Sequence, residues 1–124
     1  MILKKEIIEQ LSKELLLPYT GIEQDWDIEM ADSRRLDEFI KFYMESNLCD
    51  DQKVAVMSLI LSSYDDLLNE NNLEIDDRWN KIKSILKSER IIFVTLMNYW
   101  SLSNEVEENN FFRITPLLRN IDCT

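Results

Sequence analysis

The chain has 124 residues, 24 acids against 14 bases for a formal charge of −10, and no histidine. The missing histidine removes the commonest general base and transition-metal ligand, and the negative charge repels nucleic-acid phosphates and anionic lipid headgroups. With 45% hydrophobic and 31% charged residues, the composition is that of one globular domain over residues 1–124 with a single core.

One glycine and two prolines leave few places for tight hairpin turns, so the expected fold class is all-α. Ile2, Leu3, Ile7, Ile8, Leu11, Leu15 and Leu16 recur at helical spacing and predict a helix over residues 2–17. Pro18 and Gly21 end it. Between Ile22 and Ala31 apolar and acidic residues partly alternate, which fits one extended segment or the first turns of a helix; helical or irregular structure is expected there. Asp32 or Ser33 can cap the next helix, whose apolar stripe is Leu36, Phe39, Ile40, Tyr43 and Met44. Its outer face offers the pairs Arg34–Glu38, Asp37–Lys41 and Lys41–Glu45, and it should end near Asn47.

Asp50 and Asp51 suit the start of a longer helix, about Asp51 to Asn69, as caps and as charges favoured by the helix dipole. That helix is apolar nearly all round between Val54 and Leu61, the mark of a central buried element. After a polar loop, a helix from Asp77 to Ser88 turns Trp79, Ile82, Ile85 and Leu86 inward and Lys81, Lys83 and Lys87 outward. Residues 90–102 read as helix by length, although their β-branched and aromatic start leaves a strand open. A polar stretch, Ser103 to Asn110, precedes a short last helix with Thr115 as cap and Pro116 at the first helical position. The expected architecture is a bundle of five to six helices around the Asp51–Asn69 helix.

Catalytic apparatus is hard to find in this sequence. A single glycine cannot build a phosphate-cradling loop. Asp25-Trp26-Asp27-Ile28-Glu29 has a superficial likeness to a calcium loop, but no glycine sits at its sixth position and no bidentate glutamate follows. Ser62 and Ser63 have no histidine to activate them. Cys49 and Cys123 match no metal or redox spacing and read as a small core hydrophobe and a thiol near the terminus. No catalytic residue, metal site or cofactor is expected. Charge is interspersed through the first ten residues, unlike a secretion signal, and no apolar run nears the roughly 20 residues of a membrane span. The expected compartment is the cytoplasm, and the free protein is expected to be a monomer.

The acids are unevenly spread. Ile22 to Asp32 holds five and no base; Asp65 to Asp77 holds Asp65, Asp66, Glu70, Glu74, Asp76 and Asp77, again without a base; Glu105, Glu107 and Glu108 form a third group. Solvated loops and helix starts account for several of them. In the first stretch the acids are interleaved with Trp26, Ile28 and Met30, and an aromatic among carboxylates suits a surface that binds a cationic protein. Trp26 fits plain core packing equally well. The candidate binding residues are Asp25, Trp26, Asp27 and Glu29, with Asp65, Asp66 and Glu70 as a second patch.

Residues Asp25 to Arg35, DWDIEMADSRR, run into LDEFIKFY and then into the buried helix ending SSYDDLL. Across residues 22–70 this texture resembles small acidic all-helical proteins encoded beside bacterial polymorphic toxins, including immunity proteins of contact-dependent growth inhibition systems. The resemblance implies a cytoplasmic inhibitor that binds one cognate toxin domain, often a nuclease, and occludes its active site; it assigns no binding residue. Physical reasoning leads the same way. A nuclease presents cations to hold phosphates, an acidic protein can fill that cleft, and steering can raise association toward about 10⁸ M⁻¹s⁻¹. The alternative is a non-catalytic interaction adaptor or regulatory subunit, which would show a larger apolar contact area with Phe42, Phe111 and Phe112 exposed.

Overall fold

The structure, a computed structural model, describes residues 3–122. It contains α1 (Lys5–Glu14), α2 (Trp26–Glu29), α3 (Leu36–Glu45), α4 (Asp50–Glu70), α5 (Arg78–Ser88), α6 (Arg90–Ser101) and α7 (Thr115–Arg119), with 3₁₀ turns at Ser33–Arg35 and Glu108–Asn110. The fold is an all-α bundle, and no strand occurs among the described residues. The short last helix is present as expected, and α2, in the stretch read as helical or irregular, carries the count to seven. Of the stretch 90–102 left open between helix and strand, Arg90–Ser101 is helix, because Phe93, Leu96, Met97 and Trp100, spaced for one helical face, all enter the core.

α4 is the axis of the bundle, roughly 30 Å long, and every residue from Ala55 to Asp65 is buried. α1, α2, α3 and α6 pack directly on it. α5 is joined to it by Tyr64 stacked on Trp79, ring centroids 6.5 Å apart, and by the Tyr64 hydroxyl, which takes the Asp76 N–H and donates to Asp76 Oδ1, each at 3.0 Å. The cap of α4 is Cys49 rather than an aspartate: its side chain meets the first turn while its own N–H donates to Gln52 Oε1 at 2.9 Å. Cys49 is therefore exposed, contrary to its expected place in the core. Asp50 and Asp51 follow as the first helical residues, and Asp51 pairs with Lys4 at 2.8 Å. Ile2 and Cys123, placed above in the first helix and near the terminus, lie outside the described residues.

With almost no glycine, other residues take the left-handed positions that end helices. α1 stops at Glu14, earlier than expected, because Leu16 adopts φ 54° and Leu17 N–H closes onto Ser12 O at 2.8 Å. The turn swings Leu16 outward to 83% exposure, off the helix in which its spacing had placed it. Asn72 (φ 52°) ends α4 in the same way, with Leu73 N–H on Leu68 O at 2.9 Å, and Leu102 (φ 47°) ends α6.

Long-range partners displace several expected pairs. On α3 only Lys41–Glu45 forms as read, at 3.9 Å. Asp37 instead takes Arg78 of α5 at 2.8 Å, and Glu38 takes Arg35 at 2.5 Å. Met44 leaves the apolar stripe for a surface groove shared with Arg78 and Lys81 and is exposed. Glu89, the single residue between α5 and α6, accepts from the Tyr43 hydroxyl at 2.8 Å and from Lys53 Nζ at 2.5 Å, tying that corner to α3 and α4. At the other end Thr115 opens α7 rather than capping it from outside. Its hydroxyl takes Phe112 N–H at 3.1 Å and donates to Trp100 O at 2.9 Å. Arg119 lies over the Phe111 ring at 4.2 Å and donates to Ser101 O (2.7 Å), Leu102 O and Glu105 O (2.8 Å). These are carbonyls at and just beyond the end of α6.

Candidate partner-binding surface

Trp26, which the sequence left between core and surface, is core. It is 3% exposed, and its indole Nε1 donates to Ser12 Oγ at 2.9 Å, while Ser12 donates to Ile8 O at 2.6 Å. The ring thus anchors α2 to α1 and shows only a sliver of its surface, at the floor of a cleft. Around it the acids divide. Asp25 is exposed; Asp27 is half-buried; Glu29 is exposed but its Oε2 accepts the Asp25 N–H at 2.9 Å, closing the open end of α2. Glu23 serves the preceding loop, accepting from Thr20, Gly21 and Ile22. The Thr20 hydrogen bonds pull its carboxyl down to about 2.

The second patch is split by the helix that carries it. Asp65 points inward at 8% exposure, where it accepts Ile114 N–H at 3.0 Å and Asn69 Nδ2 at 3.4 Å. It holds the approach to α7 and is withdrawn from any partner, which corrects its place among the binding residues. Asp66 is exposed, and Glu70, also exposed, accepts from Ser33 Oγ at 2.5 Å. Together with Asp32 N–H on Ser63 Oγ at 3.0 Å, that bond sets residues 30–33 beside the end of α4. The two acidic stretches therefore lie on neighbouring elements.

Several acids on this side lack internal neutralisation, as do Glu6, Glu14, Glu105, Glu107 and Glu108 elsewhere among the described residues. The fold's salt bridges engage Asp32, Asp37, Glu38, Glu45, Asp51, Asp76, Glu89 and Asp122 among others. Asp25, Asp27, Asp66, Glu70, Glu74 and Asp77 have no salt bridge among the described residues. A cleft of about 290 Å³ opens beside Asp25 and Asp27, bounded by Trp26, Ile28, Leu3 and, across from α2, Tyr99 of α6. Partial burial, followed by the Asp27 and Asp25 charges, raises the Tyr99 hydroxyl above its ordinary value.

Phe42 and Phe112 pack against the core, and Phe111 lies under Arg119. The exposed phenylalanines looked for in an adaptor are absent. Exposed apolar groups lie elsewhere, scattered at Leu16, Ile22, Met44, Ile75 and Val106 but grouped on α6, where Ile91 is 92% exposed and Val94 and Tyr99 are about half exposed. Sequence reasoning missed this face because it counted nearly all of residues 91–100 as apolar without separating inner from outer positions. No helix is long and apolar enough to cross a membrane, and no group of acidic or cysteine side chains among the described residues is arranged to hold a metal ion. Comparison of the chain with protein-family models, with curated proteins and with solved structures returned no match.

Two expectations arise from these carboxylates. Asp65→Ala leaves a buried backbone N–H without its acceptor and should lower unfolding stability by about 1–3 kcal/mol in urea titrations. Asp65→Asn keeps an acceptor and removes the buried charge, so its loss is smaller; equal losses would show that the Ile114 contact is unimportant.

The second concerns pH. Desolvation raises Asp27, Asp65 and Asp66, the last also through the Asp65 and Glu70 charges. These groups bind protons more tightly folded than unfolded, so the fold loses stability as pH rises through their folded values. Glu89 is lowered mainly by Lys53, Asp37 by Arg78 and Glu38 by Arg35. Their contribution is complete above the unfolded value and is lost as pH falls through the folded one. The two sets oppose each other across the carboxylate range, so Glu89→Gln should make the loss of melting temperature on acidification smaller and Asp27→Asn should make it larger. Calorimetry showing the same acid dependence in both variants would contradict this.

Proposed function

We propose that the chain is a non-catalytic inhibitor that docks its un-neutralised acidic side onto the basic active site of a toxin domain, a nuclease being the best match. The observation that carries this is the division of the acids. Asp32, Asp37, Glu38, Asp76 and Glu89 are paired with cations of the fold, while Asp25, Asp27, Asp66 and Glu70 have no salt bridge among the described residues. Such a side repels itself in the free protein and gains when a cationic surface covers it. A phosphate-binding cleft is that kind of surface. The missing histidine and phosphate-binding loop agree with a protein that blocks chemistry instead of performing it.

The test captures partners of the tagged chain from the strain that encodes it, then measures rates against the purified basic domain. Raising salt from about 50 to 500 mM should slow association far more than it speeds dissociation, because screening shortens from over 10 Å to a few ångströms. Asp25→Lys, Asp66→Lys and Glu74→Lys act mainly on the on-rate, and none of these side chains accepts a side-chain hydrogen bond that the fold depends on. Truncating an acid paired with a buried arginine of the toxin acts on the off-rate by about 2–5 kcal/mol. Unchanged affinity after reversal of both acidic stretches would remove this mechanism.

A further inference from the structure

α6 has an outer face without charge. From Ile91 to Asn104 there is no Asp, Glu, Lys or Arg, although 31% of the chain is charged. Ile91, Val94, Thr95, Asn98 and Tyr99 recur at helical spacing and are all exposed, while Phe93, Leu96, Met97 and Trp100 fill the core from the opposite side. A merely solvated face would carry lysines and glutamates, as α1 and α5 do. At its far end the strip reaches Tyr99, where it borders the cleft of about 290 Å³ floored by Ile8, Leu3 and Trp26 and flanked by Asp25 and Asp27. Ile28, half exposed, continues the apolar surface onto α2.

We infer that the uncharged face of α6 and the Asp25–Asp27–Tyr99 cleft form one docking surface for a basic protein partner, with a lysine or arginine side chain of that partner seated in the cleft. The strip supplies the apolar centre of the contact, and the unneutralised carboxylates supply its charged edge. Within the cleft a cation meets two carboxylates, whose charges act together on it. Charge selects the occupant. A second copy would bring a further −10 and set its own carboxylates against these, whereas a basic partner is attracted by both. This inference rests on the proposed basic partner and narrows its seat to α6 and α2, away from the carboxyl-terminal part of α4.

The probe is a synthetic helical peptide with a leucine–isoleucine stripe flanked by lysine and arginine, titrated into the labelled protein and followed by amide shifts. Two controls are a glutamate-flanked counterpart and a lysine peptide without the stripe. The cationic amphipathic peptide should shift residues 25–28 and 91–101, and the controls should not. Ile91→Glu should weaken it by about tenfold, and Asp25→Asn with Asp27→Asn by a few-fold. Ile91 is almost fully exposed, so the first variant should melt like the parent. Shifts centred on residues 66–77, or equal binding of the stripe-free lysine peptide, overturn this surface but leave the basic partner standing. No binding of any cationic peptide overturns both. A dimer by light scattering that Ile91→Glu dissolves would identify a second copy as the occupant and also overturn it.

Discussion

Trp26→Ala should lower the melting temperature by roughly 10–20 °C. The indole is 3% exposed and bonded to Ser12, and truncating a buried tryptophan costs about 3–5 kcal/mol. In a chain of this length each kcal/mol moves the midpoint by about 4 °C. The loss should be cooperative, because the ring joins α2 to α1 while α2 also packs on α4. Trp26→Phe keeps most of the apolar volume but drops the N–H, and should fall between the two. Binding to a basic partner should weaken only as α2 loosens, since the flanking Asp25 and Asp27 carry the charge. The decisive outcome is binding lost at unchanged melting temperature: it would place the indole in the interface and contradict its burial.

Leu61→Ala and Leu16→Ala remove the same atoms from two leucines that both fall at helical spacing in the sequence. Leu61 is 0% exposed at the middle of α4, where neighbouring helices enclose it. Its truncation should leave a cavity and cost about 2–5 kcal/mol, a large share of the 5–15 kcal/mol typical of a domain. Leu16 is 83% exposed, and alanine suffers the same positive φ, so the change should stay within about 0.5 kcal/mol. Urea unfolding of the pair gives the comparison directly. Similar losses at both positions would mean that Leu16 is buried in solution and that α1 continues past Glu14.

The elements readable from sequence were those whose own side chains declare a period. α3, α5 and α6 show an apolar stripe, and α4 is apolar all round because it has neighbours on every side. α2 has four residues, too few to display a period, and its structure depends on a serine fourteen positions earlier. The same holds for charge. That a run of acids exists is visible in the sequence; which way each one faces is not. Asp65 turns in to meet Ile114 while adjacent Asp66 turns out. Asp37 finds Arg78, and Glu89 finds Lys53, so the acids left over are defined only once the helices have docked. The bare face of α6 did have a local signal, the uncharged run from Ile91 to Asn104, which an emphasis on acidity passed over.

Arg119 gives the carboxyl-terminal end of the bundle a particular kind of cooperativity. The last carbonyls of α6 have no further helix to bond them, and the guanidinium that satisfies two of them, together with Glu105 O beyond, belongs to α7. Thr115 adds a second link through Trp100 O. When α7 lifts away, Ser101 O and Trp100 O lose those donors and Leu102 O keeps only the Glu105 N–H, so the end of α6 and α7 open and close as one unit, below the stability of α4. A ligand seated against Tyr99 would therefore be felt at residues 115–121, which it never touches, as slower exchange of their amides with solvent.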